Sequence, residues 1–184
     1  MGIMYKKSIT FLVVLIFFTP LVVLSKNFIF PFVVPKVLLF RTLVLVCLAC
    51  FFLGTKQKKW PMFPKKTPID VMILLYFLVF LIAVIGGVDW YKSFWDNHER
   101  MLGFFTLVHY GFFFLILSSV YRSRHDWVML FRWFLGAGSI VMLVGVWQYF
   151  FDRNFLLNMG NVRVSATLGN AIYYSGYGLS LIHI

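Results

Sequence analysis

Six long apolar stretches alternate with short charged loops along almost the whole of this chain. The hydrocarbon core of a bilayer is about 30 Å thick, and a helix needs about 20 mostly apolar residues to cross it. The stretches predict six transmembrane helices: Ile9–Leu24, Val37–Gly54, Ile69–Val88, Met101–Val120, Val128–Phe151 and Leu168–Ile184.

The composition argues against a water-soluble protein. The mean hydropathy is +0.88, and 61% of the residues are hydrophobic whereas 12% are charged, which leaves too little polar surface for a globule in water. The apolar stretches are continuous and do not alternate with period two, which favours helices over strands. We therefore predict an all-α polytopic membrane helix bundle that forms a single integral membrane domain over residues 1–184.

The first stretch is longer than the apolar region of a signal peptide, and no small-residue cleavage site follows it, so we expect an uncleaved anchor. The last stretch reaches Ile184 without a polar flank. We therefore expect the chain to be the N-terminal half of a longer protein. Residues 179–184 resemble translated adapter sequence and are expected to be foreign, so His183 is assigned no role.

The charge distribution predicts the orientation. With the N-terminus in the cytoplasm, nine Lys and Arg residues lie in inner segments and six in outer segments. The five-lysine segment Thr55–Pro68 decides this balance, and the opposite orientation would place it outside. Inner lysines meet anionic lipid headgroups, so the net charge of +11 requires no nucleic acid as a partner.

Charge inside the bilayer is costly and often functional. Arg41 lies inside the second stretch, and Lys36 lies at its outer boundary. Both side chains either face an aqueous vestibule that holds an anionic group or extend to the lipid headgroups. Cys47 and Cys50 lie in the same stretch without a nearby His or acid, and we interpret them as small packing residues and not as a redox or metal pair.

The densest polar cluster lies between the third and fourth stretches. Asp96, His98 and Glu99 suggest a metal site, but no second cluster completes a coordination shell, and we predict no metal. We expect Asp96 or Asn97 to cap the fourth helix and Glu99 to lie near its positive end. Arg100 opposes that dipole, which suggests an ion pair with Asp96 or a bound anion.

Three segments carry a resemblance to a known family. Residues 93–103 read S-F-W-D-N-H-E-R-M-L-G and resemble the S-F-W-x-N-x-E-R-x-x-G segment of bacterial O-antigen ligase-like membrane proteins, with Trp95, Glu99 and Gly103 at its fixed positions. Lys36 with Phe40-Arg41 resembles the K-x-x-x-F-R of the second helix. Residues 163–170, R-V-S-A-T-L-G-N, resemble the segment before the sixth helix, and Gln148 also fits.

The resemblance implies a glycosyltransferase of the bacterial inner membrane. Such an enzyme takes a glycan from undecaprenyl diphosphate on the outer side and transfers it to lipid A core, a polysaccharide or a protein. We expect Arg41, Arg100, Arg163 and Lys36 to bind the diphosphate without metal or cofactor, and Gly169 and Asn170 to shape the entry to the sixth helix. The resemblance puts the catalytic residues beyond Ile184, so none is named.

Other interpretations remain open. Lipid phosphates and helix-end ion pairs would also explain the outer arginines. A multi-span transporter or flippase for lipid-linked or anionic substrates would fit the same pattern of outer cations and apolar helices. A structural or assembly subunit would tolerate substitution of the outer arginines. We interpret His109 as a helix-packing residue, and His125 as a polar residue of the inner side.

Overall fold

The computed structural model describes residues 2–24, 30–63, 67–97, 99–156 and 163–183. Over these residues the chain is helical and contains no strand. The α-helices, in chain order, are α1 (Gly2–Phe17), α2 (Val34–Lys56), α3 (Pro68–Gly86), α4 (Trp90–Trp95), α5 (Phe104–Val120), α6 (Arg124–Phe150) and α7 (Ala171–Ile182).

Within the described ranges, four helical segments are long and apolar enough to cross a membrane: Met4–Leu21, Val34–Lys56, Pro68–Gly86 and Arg124–Phe150. Helix α3 is the clearest evidence that the chain is surrounded by lipid. It is apolar on every face, yet Val84 is its one buried residue. A helix with apolar side chains all round is stable when lipid or protein surrounds it. The predicted class of helical membrane protein is confirmed.

The prediction of six spans is wrong in number. The described residues contain four such segments. Helix α5 has 17 residues and is about 25 Å long, less than the hydrocarbon thickness, and α7 has 12 residues within the given sequence. Both begin later than predicted. Helix α5 begins at Phe104 because the chain first passes through a loop that ends at Gly103, and α7 begins at Ala171 because Asn170 is its N-cap.

Proline and capping residues set the other helix ends. Helix α1 ends at Phe17, and Pro20 lies in a 3-10 turn at Thr19–Leu21, so this proline ends the α-helix instead of kinking it. Helices α3 and α6 both begin with a capping box, formed by Thr67 with Asp70 and by Ser123 with Asp126.

The chain divides into two compact units. Unit 1 comprises Met1–Val13 and Arg41–Arg122, and unit 2 comprises Val14–Phe40 and Ser123–Ile184. In unit 1, helices α3, α4 and α5 pack on one another. In unit 2, α6 packs on α7 and on the 3-10 turn. The predicted single integral membrane domain stays a prediction.

A tryptophan closes the end of α2 within unit 1. The Trp60 indole is buried, stacks on the Phe51 ring at 6.2 Å between centroids, and donates a hydrogen bond from Nε1 to the Phe51 carbonyl at 3.1 Å. Gly54 provides the space for it, because a Cβ at this position would lie 2.0 Å from the indole.

Lys65 and Lys66 of the predicted inner segment lie outside the described residues, as does Lys26.

Candidate functional site

Arg41 is a charged residue within a helix that is apolar enough to cross a membrane, and its side chain is buried in unit 1. Its side chain is 9% exposed. The guanidinium Nη2 donates to the Thr106 hydroxyl and, at 3.4 Å, to the Met101 carbonyl. This burial does not fit the alternative in which Arg41 extends to the lipid headgroups.

The partners of Arg41 are neutral. Among the described residues, no carboxylate pairs with the Arg41 guanidinium, and its Nε is buried without a hydrogen-bond partner. The guanidinium carbon lies 4.9 Å from the centroid of the Phe105 ring, in a cation–π arrangement. Arg41, Met101, Phe105 and Thr106, together with His109, are called the Arg41 site below.

His109 adds an unused hydrogen-bonding group to the Arg41 site. Its ring makes an edge contact with Phe105 at 4.7 Å between centroids, and Nδ1 lies 2.7 Å from the Phe105 carbonyl. Because a carbonyl oxygen only accepts, Nδ1 is the donor in this contact. Within the described part of the chain, Nε2 is buried and has no partner. His109 packs inside the protein, as predicted, and also presents an unpartnered ring nitrogen.

The loop between α4 and α5 delivers the Met101 carbonyl to Arg41. The Asp96 carboxylate accepts a hydrogen bond from the Leu102 N–H at 2.8 Å, and the Asn97 side chain accepts one from the Arg100 N–H at 3.0 Å. These bonds correct the predicted helix caps, because both side chains close the loop and Gly103 is the N-cap residue of α5.

Two motif residues hold this loop against the Arg41 site. A Cβ at Gly103 would lie 2.5 Å from the Phe94 carbonyl oxygen, so glycine permits the close approach of α4 and α5. The Trp95 ring packs on the Phe105 ring, with 4.8 Å between centroids. Trp95 therefore supports the aromatic ring that underlies the Arg41 guanidinium.

Glu99 and Arg100 are exposed. Among the described residues, the Arg100 side chain forms no ion pair with Asp96, so one explanation offered for this arginine is wrong and the bound anion stays a prediction. The described part of the chain contains no group of three or more potential metal ligands. His98 lies outside the described residues, so the metal alternative for this loop stays untested.

In unit 2, Lys36 is directed to a backbone group. Its ammonium donates to the Thr167 carbonyl and lies 5.7 Å from the centroid of the Phe32 ring. Phe32 also packs on Gly169, where a Cβ would lie 2.4 Å from the ring and where φ is +73°. Asn170 accepts a hydrogen bond from the Ile172 N–H at 2.8 Å and caps α7, as predicted.

Gln148 holds the segment before α7. Its Nε2 donates to the Phe155 and Ala166 carbonyls at 2.7 and 3.1 Å, and its Oε1 accepts from the Ala166 N–H at 2.8 Å. Ser165, Ala166 and Thr167 are buried, and Ala166 has a positive φ of 48°. Arg163 lies exposed just before them. The centre of the R-V-S-A-T-L-G-N segment, Ser165 to Thr167, is thus a fixed, buried turn.

The sequence interpretation missed three residues. Thr106 and Phe105 are distant from Arg41 in sequence, but the polar pair Thr106 and His109, three residues apart in an apolar helix, was a usable signal. Arg132 lies within the predicted fifth span, so the rule that selected Arg41 applies to it as well.

Cys47 is buried and Cys50 is half-buried, and both are free thiols.

No protein-family model, curated protein or solved structure matches this chain.

Proposed function

We propose that this chain is the N-terminal part of a metal-independent membrane glycosyltransferase of the O-antigen ligase type. It transfers a glycan from an undecaprenyl diphosphate carrier to lipid A core, a polysaccharide or a protein. The support is the resemblance of three sequence segments together with one structural observation, the buried Arg41 guanidinium without a carboxylate partner. The proposed location is the bacterial inner membrane with the N-terminus in the cytoplasm, which the basic segment Thr55–Pro68 favours.

The Arg41 site suits an anionic ligand on energetic grounds. A buried charge without a counter-charge costs several kcal/mol, of the order of 3–5 kcal/mol when a pair is broken. Thr106 and the Met101 carbonyl satisfy two hydrogen bonds of the guanidinium but supply no negative charge. A diphosphate would supply it, and the unpartnered Nε is a further donor.

The same site suits the transfer reaction. An oxygen of the acceptor forms a bond to the anomeric carbon of the glycan while the bond from that carbon to the diphosphate oxygen breaks. Negative charge develops on the leaving diphosphate, and a preorganised cation next to it lowers the barrier. Phe105 and the loop at Gly103 hold the Arg41 guanidinium in place before substrate arrives. The proton of the acceptor requires a general base, which we assign to none of these residues.

Binding of the carrier tests the role of Arg41 directly. Undecaprenyl diphosphate binding would be measured for the chain in nanodiscs, with the variants Arg41→Gln and Arg41→Lys. Charge-assisted hydrogen bonds contribute about 1.5–3 kcal/mol each, so we expect Arg41→Gln to weaken binding about 10- to 150-fold. Arg41→Lys should recover part of the loss. Arg122→Gln is the matched control, since this exposed arginine lies at the opposite end of α5.

Transfer is tested in cells. The complete gene, with the part that follows codon 184, and its Arg41→Gln variant would be expressed in a bacterial host that lacks its own O-antigen ligase, with lipid A core analysed for attached glycan. New glycosidic bonds with the native residue and their loss with Arg41→Gln are expected. Movement of lipid-linked glycan across the membrane without any new bond would overturn the transferase in favour of a transporter or flippase.

A further inference from the structure

One face of α6 in unit 2 borders a cleft of about 670 Å³. The residues that line the cleft recur at helical spacing and therefore share one side of the helix. They are His125, Val128, Met129, Arg132, Trp133 and Gly136.

Arg132 marks the depth of this cleft in the bilayer. The part of α6 from Trp133 to Phe150 contains no Asp, Glu, Lys or Arg. Its length is about 27 Å, close to the hydrocarbon thickness of about 30 Å. The whole helix has 27 residues and is about 40 Å long. Arg132 therefore lies at the boundary between hydrocarbon and headgroups, and the first turns of α6 project into the headgroup region.

The cleft carries a cation, Arg132, toward one end and is apolar at the other. Arg132 and His125 lie toward the helix start, whereas Trp133 and Gly136 lie on the hydrocarbon side. A Cβ at Gly136 would meet no atom within 4 Å, so the deep end is open. None of the lining residues is acidic.

Asp126 is the acidic residue nearest in sequence, and it forms the capping box with Ser123 at the start of α6. Its carboxylate accepts a hydrogen bond from the Ser123 N–H at 3.4 Å. A helix-terminal cap uses this carboxylate, so an anion at the Arg132 end of the cleft would come from outside the chain.

We propose that this cleft binds an anionic phospholipid of the surrounding membrane. The lipid phosphate contacts Arg132, and an acyl chain runs along Trp133 and over Gly136. A free phosphate would use the cation but gains nothing from the apolar end, whereas a phospholipid matches both parts. Basic clefts at the headgroup level of membrane helices bind anionic headgroups for the same reason. The proposal does not depend on the Arg41 site or on glycan transfer.

Two variants with matched controls test the cleft. Phosphatidylglycerol retention would be measured by native mass spectrometry of the purified chain, with phosphatidylcholine as the reference lipid. Arg132→Gln removes the cation, and Arg124→Gln removes an equal charge from the first residue of α6, which does not line the cleft. Gly136→Phe fills the deep end, and Gly176→Phe places the same side chain at an open glycine of α7.

We expect Arg132→Gln and Gly136→Phe each to lower retention of phosphatidylglycerol about tenfold, equal to about 1.4 kcal/mol. Arg132→Lys should restore most of it, and the two controls should leave it unchanged. The proposal is overturned if Arg132→Gln behaves like Arg124→Gln, or if inorganic phosphate displaces the lipid completely. It is also overturned if Gly136→Phe changes the oligomeric mass, because a second copy of the chain then occupies the cleft.

Discussion

Replacement of Gln148 by methionine tests the most tightly specified contact in unit 2. Methionine has a similar volume but cannot reproduce the hydrogen bonds of the amide to both backbone groups of Ala166. Ala166 is 0% exposed, so its N–H and C=O would lose their partner away from water. An unsatisfied buried group costs about 1–3 kcal/mol, and two of them cost about 2–6 kcal/mol. Ala166 also has a positive φ of 48°. This left-handed conformation costs about 1–2 kcal/mol, and the Gln148 contact helps to hold it.

The measurement is the free energy of unfolding in mixed micelles, together with hydrogen exchange of residues 163–170. We expect Gln148→Met to lower the free energy by at least about 2 kcal/mol and to raise exchange at Ala166 most of all. Gln57→Met is the control, because Gln57 is exposed and makes the same kind of bond, to the Tyr5 hydroxyl at 2.9 Å. If both variants lose equally little, Gln148 does not hold this segment and the reasoning is wrong.

Gly103→Ala should destabilise the loop between α4 and α5 by about 1–3 kcal/mol, because its Cβ would meet rigid backbone. Limited proteolysis of the loop should detect this change, whereas Gly86→Ala, with open space around it, should behave as the native chain. If Arg100 and Arg163 bind the carrier diphosphate, Arg100→Ala and Arg163→Ala should each reduce glycan transfer at matched expression. Full transfer in either variant would remove that arginine from the residues proposed to bind the carrier.

The sequence predicted those properties that depend on local pattern. Continuous apolar stretches predicted the class of fold, and Asn170 was expected to shape the entry to the sixth helix, which it does as the N-cap of α7. The start of α5 was wrong because the close approach of Gly103 to the backbone of α4 is a tertiary contact. The local rule for caps therefore chose Asp96, whose carboxylate instead bonds to the Leu102 N–H.

The Arg41 site likewise combines a residue that the local sequence predicted with contacts that only the tertiary structure shows. An arginine inside an apolar stretch was recognisable by its cost, but its partner Thr106 is 65 residues away and no local pattern joins them. Lys36 was expected to bind substrate, and the structure directs its ammonium to the Thr167 carbonyl. Whether it also contacts a ligand stays a prediction.

The contact between Gly54 and Trp60 has a consequence for the evolution of the chain. The indole occupies the volume that a side chain at position 54 would need, with 2.0 Å between a hypothetical Cβ and the ring. Position 54 therefore cannot gain a side chain while the Trp60 indole stays in this place. A change of Gly54 to alanine becomes tolerable after Trp60 has been replaced by a smaller residue, whereas the reverse order passes through a clash. Natural variants with a larger residue at position 54 should therefore carry a smaller one at position 60.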